Sequence, residues 1–277
     1  MVIGINTNKQ KDKDLKSTKS FIELLKQAKI DCLISDNLKD DFSNLDCYDK
    51  NSKLDILAVF GGDGTILRTV PDAVKLDIPI LGINLGNLGF LNEIGNLTLQ
   101  NIADAIKTKK YKVKERFLLQ TYIEKKLSLA LNDIVVKNSD SKISNVIKLE
   151  TYLDDILIDK FVSDGIIIST PTGSTAYSLS AGGPILSPDL SVLVITPICP
   201  HSLHNRPIVV SDDKKIKIKL ITENADVFAD GQFLGKLTKD EDILVEKSQR
   251  TCKFLSFSDE SFYVKLLTKL NNWTNIK

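Results

Sequence analysis

Asp63 stands in "VFGGDGTIL", residues 59–67, a glycine turn directly after an apolar strand. Glycines at such a turn let the backbone approach a phosphate, because no Cβ intervenes and N–H groups point outward. A carboxylate there would repel a phosphate by roughly 4 kcal/mol at about 4 Å and an effective dielectric of about 20. The stretch carries neither GxxxxGK[ST] nor GxGxxG, so it supplies no phosphate-neutralising lysine and no dinucleotide fingerprint. An acid becomes sensible if it binds Mg²⁺ or takes the proton from the hydroxyl that attacks phosphorus, both phosphoryl-transfer roles. The plainer alternative is a tight turn whose carboxylate bonds backbone N–H groups. Thr65 is expected to cap a helix beginning at Ile66.

Three further stretches carry candidate chemistry. "LGINLGNLGFL", residues 81–91, also leaves a strand into a glycine-bearing loop, with Phe90 suited to core packing. "DGIIISTPTGSTAYSLSAGGPI", residues 164–185, follows a strand with Ser169, Thr170, Thr172, Ser174, Thr175, Ser178 and Ser180. Hydroxyls and free N–H groups at a helix start bind ribose, amide or phosphate oxygens, whereas a simple cap needs only one of them. "ALND", residues 130–133, puts Asn132 and Asp133 together, as a pair for adenine or ribose hydroxyls or as ordinary strand-end polar residues. Cys199, His201 and His204 in "ICPHSLHN" are soft ligands, but structural zinc wants about four and no fourth is evident. A structured loop fixed by Pro197, Pro200 and Pro207 fits better. "TGSTA" is not GxSxG, so a serine hydrolase is disfavoured.

The elements that must position these residues come in two styles. Up to about residue 110, the strands "VIGIN", "DCLIS", "DILAVF" and "IPILGIN" alternate with the helical "SFIELLKQAK" and "TILRTVPDAVKL". That alternation implies right-handed crossovers and a parallel sheet, with ligands at the carboxyl ends of strands. Beyond residue 111 come short β-rich runs, "RFLLQTYIE", "LSLALNDIVVK", "VIKLETYL", "ILIDKFV", "GIIIST", "KKIKIKLIT" and "DILVEK", with turns at Asp154-Asp155 and Asp230-Gly231. The fold class expected is an α/β N-terminal domain with a parallel sheet, residues 1–111, plus an all-β C-terminal sandwich domain, residues 112–260. Residues 261–277, with the amphipathic "ESFYVKLLTKLNNW", are expected to pack back on the first domain.

Composition narrows the partners. The chain has 277 residues, 42% of them hydrophobic, and a formal net charge of +1, which indicates no nucleic-acid-binding face. "KKIKIKL" reads as a strand with one solvated face. Four scattered cysteines form no CxxC pair and suit a reducing compartment. Neither a signal peptide nor a membrane span is expected, and a cytoplasmic location follows.

"GGDGT", "LGINLGNLGFL", "TPTGSTAYSLSAGGP", "PICPHSLHNRPIVV" and "DGQ", from residue 61 to 232, resemble the NAD kinase family in its motif order. The glycine turn alone is also similar to those of phosphofructokinases and diacylglycerol kinases; the "TPTGSTAYSLSAGGP" and "PHSLHNRP" blocks are more specific. The resemblance implies transfer of the ATP γ-phosphate to the 2′-hydroxyl of the adenosine ribose of NAD, giving NADP, with inorganic polyphosphate as the alternative donor and Mg²⁺ or another divalent metal as cofactor. It implies that Asp63 activates the hydroxyl, that Gly64 contacts NAD and that Phe90 lies near the nicotinamide side. Asn132, Asp133, Asp164, Thr175, Ala176, Tyr177, Ser178, Leu179, Ser180 and Gln232 would line the NAD site. Gly61, Gly62, Thr65 and Arg68 would serve the ATP phosphates, and no metal ligand is firmly assigned. A homodimer or homotetramer is implied as well.

Two departures stand out. Asp133 occupies the usual place of Glu, one methylene shorter, and Val162 that of an arginine, which removes a cationic contact for which Lys160 is a candidate substitute. Three other readings compete: a diacylglycerol-type lipid kinase, a dinucleotide sensor without catalysis, and the metal site at Cys199. The first lacks an evident membrane-facing stretch, and the second leaves Asp63 without a purpose.

Overall fold

The computed structural model describes residues 1–86, 89–92, 97–139, 146–201, 206–257 and 262–274, the last five of these as backbone only. The chain divides into two compact units, Met1–Glu115 with Cys252–Lys277, and Arg116–Thr251.

In the first unit, β1 (Val2–Thr7), α1 (Lys16–Gln27), β2 (Asp31–Ile34), β3 (Ile56–Gly61), α2 (Asp63–Leu76), β4 (Ile80–Asn84) and α3 (Leu99–Lys107) follow one another. The strands pair in parallel in the order β2-β1-β3-β4, with Ile5 opposite Ala58 and Phe60 opposite Ile83. All residues of β3 are buried, the signature of a central strand covered on both faces. Phe21 and Leu25 of α1, with Ile102 and Ile106 of α3, close over Ile3, Ile5 and Phe60. Phe21 meets Phe60 edge to face at 5.6 Å. Helix α3, absent from the expectations, begins at a capping box in which Thr98 Oγ1 accepts from Asn101 N at 3.2 Å.

Because the chain goes to opposite sides of β1 for β2 and β3, the strand order reverses between β1 and β3. That reversal opens a crevice at their carboxyl ends, the usual ligand position of such sheets. The "GGDGT" turn leaves β3 there, and the loop after β1 is tied to it by Asn8 N donating to Phe60 O at 2.9 Å.

The second unit is built from β5 (Lys112–Ile123), β6 (Lys126–Ala130), β7 (Asp133–Asn138), β8 (Ile147–Leu153), β9 (Ile156–Ser163), β10 (Gly165–Ser169), α4 (Tyr177–Ser180), β11 (Val192–Ile198), β12 (Ile208–Ser211), β13 (Ile216–Leu220), β14 (Asn224–Ala229), β15 (Gln232–Thr238) and β16 (Asp242–Ser256). One antiparallel sheet runs β12-β11-β10-β7-β14-β15, and β16, β13, β8 and β9 pair in sequence, with β5 joining β16 to β6. Their facing apolar residues, among them Leu119, Ile134, Val136, Phe161, Ile166, Ile218 and Val227, form one core. In β13, Ile216, Ile218 and Leu220 point inward while Lys217 and Lys219 stay on the wetter face. Asp154-Asp155 and Asp230-Gly231 both adopt the left-handed pair of φ values, 48° and 67°, and 48° and 79°, that two-residue hairpins require.

The division differs from the expected one at its second boundary. "DILVEK" is only the start of β16, whose last residues belong to the first unit, where Phe254 pairs with Ile80 of β4 in parallel. Helix α5 (Phe262–Thr274) belongs to the first unit as well.

Candidate functional site

In the first unit, the site is organised around Asp63, the first residue of α2. Gly62 takes the N-cap position with extended backbone and no capping side chain, so the helix starts two residues before the cap expected at Thr65. Thr65 is instead buried, its Oγ1 accepting from Asn8 Nδ2 at 3.3 Å. The Asp63 carboxylate reaches across to the second glycine loop. Its Oδ2 accepts from Phe90 N at 2.8 Å and its Oδ1 from Leu91 N at 3.3 Å. Gly89 makes this approach possible, since a Cβ there would lie 1.9 Å from Asp63 Oδ1. The backbone-bonding alternative is therefore realised, but across 27 residues of sequence rather than within the turn. Each carboxylate oxygen has two acceptor positions, so one on each stays available.

Two lysines attend this turn. Lys269 Nζ of α5 lies 3.9 Å from Asp63 Oδ2 and 3.6 Å from the centroid of the Phe90 ring. Phe90 is half-buried, 6.2 Å from the Phe262 ring, so its packing partners come from α5. Lys11 Nζ lies 2.6 Å from the position a Cβ on Gly62 would take. Neither was found in the sequence, because both are remote from the turn. Gly61 is buried, Gly64 is exposed, and Arg68 is exposed on α2, five residues on and about 140° around the helix from Asp63. Arg68 thus does not share a face with the carboxylate.

In the second unit, Asn132 and Asp133 sit at the start of β7, both buried. "LSLALNDIVVK" is interrupted there, ending β6 at Ala130 and beginning β7 at Asp133. Asp230 makes the interruption possible by accepting the freed N–H groups of Leu131 at 2.8 Å, Asn132 at 2.7 Å and Asp133 at 3.2 Å. Sequence reasoning placed Asp230 in a turn and in the "DGQ" motif without a role of its own; its position two before Gln232 gave no sign of this anchoring.

Burial pushes the Asp133 carboxyl up to about 7, and the nearby Asp230 charge adds to it. Burial raises Asp230 too, against the three N–H groups that favour its charged form. The pair opens on a cavity of about 270 Å³ lined by Asn132, Asp133, Val135, Lys137, Ala176, Tyr177, Phe228, Asp230 and Gly231. Val135 and Phe228 supply its apolar floor, and Lys137 Nζ lies 4.5 Å from the centre of the Phe228 ring. Apolar walls with a few convergent polar groups are what a nucleoside-sized ligand needs.

The hydroxyl-rich stretch divides into two sets. Five of its hydroxyls are spent on the fold: Ser169 Oγ donates to Asn132 O at 3.2 Å, Thr170 Oγ1 to Leu131 O at 2.6 Å, Ser174 Oγ to Pro171 O at 2.7 Å and Thr175 Oγ1 to Thr172 O at 3.4 Å, while Ser178 Oγ shares a hydrogen bond with Thr196 Oγ1 at 3.0 Å. The first two lash the start of this loop onto the Leu131–Asn132 backbone. Gly173 completes the contact, a Cβ there lying 2.1 Å from Asn132 O. Thr175, Ala176 and Leu179 are half-buried, while Tyr177 and Ser180 are exposed. Burial raises the Tyr177 phenol, helped by Cys199, Asp133 and Asp164.

Asp164 is exposed between β9 and β10, its backbone fixed by Asp164 N donating to Ile198 O at 3.0 Å. Gln232 is exposed at the foot of the Asp230-Gly231 hairpin, opposite Ala229. Lys160 pairs with Glu150 at 2.8 Å, so its charge is already engaged. Cys199 is an exposed free thiol; His204, with Ser202, Leu203, Asn205, Asn87 and Leu88 of the quoted motifs, lies outside the described residues. Among the described residues no group of three His, Cys, Asp or Glu side chains could hold a metal ion. Magnesium prefers about six oxygens and commonly takes only one or two from protein carboxylates, the rest from water and phosphates. Asp63 alone, with each oxygen accepting an N–H, does not make a protein-held magnesium site.

The ATP-NAD kinase N-terminal domain model matches residues 3–111 and the ATP-NAD kinase C-terminal domain model residues 131–257. The chain belongs to the ATP-NAD kinase family. It is a kinase of NAD, a phosphotransferase. A protein of Clostridium botulinum called NAD kinase is 41% identical over 97% of this chain and 96% of its own length. One of the same name from Caldicellulosiruptor saccharolyticus is 38% identical over 98% and 99%. The crystal structure of an NAD kinase from Archaeoglobus fulgidus in complex with ATP superposes with a TM-score of 0.77 at 28% identity, covering 98% of this chain and 99% of that one. Yeast NADH kinase complexed with NADH has the same fold, with a TM-score of 0.87 at 23% identity, covering 100% of this chain and 89% of that one. Among the described residues of the kinase, no helix is long and apolar enough to cross a membrane.

Proposed function

We propose that the kinase transfers the γ-phosphate of ATP to the 2′-hydroxyl of the adenosine ribose of NAD, with Asp63 as general base. The O2′–P bond forms as the bond from the γ-phosphorus to the β,γ-bridging oxygen breaks. ADP leaves with that electron pair, and Asp63 takes the hydroxyl proton. The observation that carries this reading is the carboxylate's attachment. Two backbone N–H groups hold it by one acceptor position on each oxygen, which leaves the others to take a proton. An oriented base of this kind contributes about 10²- to 10⁴-fold.

The donor's phosphates are received at Gly61 and Gly62, where the N–H groups opening α2 favour negative charge. Lys11 supplies there the cation that the turn itself lacks. Phe90 and Gly64 contact NAD in the first unit. In the second, Asn132, Asp133, Ala176 and Tyr177 take one nucleoside half in their cavity, with Asp164, Thr175, Leu179, Ser180 and Gln232 around it. Ser178 supports this set from below through Thr196. A divalent ion such as Mg²⁺ travels with the nucleotide phosphates and offsets their charge. The kinase is read as a cytoplasmic homodimer or homotetramer.

A coupled assay for NADP from NAD, ATP and Mg²⁺ tests this, run on the parent and on Asp63→Asn. Asparagine keeps one acceptor for the loop but cannot take a proton. Turnover is expected to fall about 10²-fold or more in a folded variant that still binds NAD. Near-parental turnover would reduce Asp63 to a clamp for residues 90 and 91.

A further inference from the structure

We propose that the cavity of about 330 Å³ beside α2 in the first unit holds the nucleoside end of the phosphate donor, so that ATP lies along one face of that helix with its triphosphate on the glycine turn. The inference rests on the reading of Gly61 and Gly62 as the seat of the donor's phosphates. Asn6 and Ser35 place the cavity at the carboxyl ends of β1 and β2, where such sheets take ligands, and Asp72 and Leu76 place it against α2.

Position around the helix decides the assignment. At about 100° per residue, Asp72 and Leu76 fall within about 20° of Thr65, the threonine of the turn, whereas Asp63 lies about 180° from Asp72. The cavity therefore continues the Thr65 face of α2, and Asp63 works from the opposite face. Strand β1 gives the same adjacency. Asn6 lines the cavity, and Asn8, at most about 7 Å further along the chain, donates to Thr65 Oγ1 at 3.3 Å. A triphosphate spans that gap. In-line transfer needs the leaving and attacking oxygens on opposite sides of the phosphorus. A donor that reaches the turn from the Thr65 face and a hydroxyl activated from the Asp63 face meet that need.

The lining suits a nucleoside. Burial, with the charges of Asp72 and Asp36, pushes the Tyr48 phenol up to about 12, so its ring meets a ligand uncharged. Tyr48 and Leu76 supply the apolar surface on which a base stacks. Buried Ser35 Oγ donates to Asn37 Oδ1 and lies 3.4 Å from Asn6 Oδ1, and Asn37 Nδ2 donates to Thr7 O at 2.9 Å. This chain fixes the Asn6 amide and leaves its Nδ2 to donate to a ring nitrogen. Asp49 is spent on its own turn, accepting from Asn51 N at 2.9 Å and Ser52 Oγ at 2.8 Å. Asp72 stands exposed at the rim, and no described residue bonds its carboxylate, so its oxygens are open to ribose hydroxyls.

The test is the steady-state kinetics of NADP formation in the full-length parent, Asp72→Ala and Leu76→Trp, with circular dichroism to establish folding. The first removes a ribose acceptor from an exposed position, and the second fills the cavity with an indole. KM for ATP is expected to rise about tenfold in Asp72→Ala and further in Leu76→Trp, with KM for NAD within about twofold of the parent. An unchanged KM for ATP in either folded variant overturns the inference, as does an equal rise in KM for NAD. If the parent forms no NADP, the reading of function fails separately. Binding of magnesium adenylyl imidodiphosphate, an ATP analogue that cannot transfer its γ-phosphate, is then measured by isothermal titration calorimetry. Weaker binding in both variants than in the parent sustains the assignment; equal binding, or none in the parent, overturns it.

Discussion

Gly89→Ala is the sharpest perturbation of the carboxylate that leaves its chemistry intact. The effect is steric: the new Cβ would lie 1.9 Å from Asp63 Oδ1 and 2.7 Å from Cγ. Either the side chain rotates out or the loop recedes, and in both cases the hydrogen bonds at 2.8 Å from Phe90 N and 3.3 Å from Leu91 N are broken or stretched. Hydrogen bonds to charged groups contribute roughly 1.5–3 kcal/mol each. The Asp63 side chain is 33% exposed, so water recovers part of that. A net loss of about 2 kcal/mol is expected. The loss in turnover should be larger than this implies, because displacing a reacting group by about 1 Å costs about 10²-fold. Urea unfolding gives the first quantity and the coupled NADP assay the second. A variant with an unchanged unfolding midpoint and kcat within about threefold of the parent would refute the argument that Gly89 sets the carboxylate's place.

Other substitutions probe the remaining parts. Asp133 binds its proton more tightly folded than unfolded, so its stabilising contribution is complete below about pH 4 and is lost as pH rises to about 7. Asp133→Asn should therefore raise the melting temperature more at pH 8 than at pH 5, as thermal melts at the two values would reveal. Gly173→Ala would drive a Cβ to within 2.1 Å of Asn132 O and 2.6 Å of its Cα. Because backbone rather than a side-chain tip is struck, a destabilisation of about 3 kcal/mol is expected in denaturant titration. Lys11→Ala should raise KM for ATP about tenfold while KM for NAD is little changed, since the amine sits at the glycine turn alone.

What could be read from the sequence, and what could not, follows from the range of the interactions. Strands β1 to β4 were legible because each is a short apolar run ended by a turn residue, and the Asp154-Asp155 and Asp230-Gly231 hairpins because left-handed pairs favour those types. Helix α3 was missed although its Ile102, Ala103 and Ile106 stripe is regular. Strands β11, β12, β14 and β15 were missed as well, two of them mixing Pro or Gly into the run. The glycine turn drew attention to Asp63 as an acid out of place beside phosphate. Nothing near it announced that Phe90 and Leu91 hold it, that Lys269 faces it 206 residues later, or that Lys11 lies over Gly62. The abundance of serine and threonine after β10 overstated ligand binding, because hydroxyls that fasten a loop to neighbouring carbonyls look the same in sequence as hydroxyls left for a substrate.

The discontinuity of the first unit has a bearing on how the molecule is made. Its sheet takes β1 to β4 from before the β unit and receives Phe254 only after all of 116–251 has emerged. The inserted β unit has every residue it needs before its host does, so an N-terminal-first order of maturation is closed to this chain. Helix α5, which brings Lys265 and Lys269 to the loop beside Asp63, likewise follows 116–251 in synthesis. A polypeptide that stops before α5 would therefore carry the glycine turn without Lys265 and Lys269 beside it.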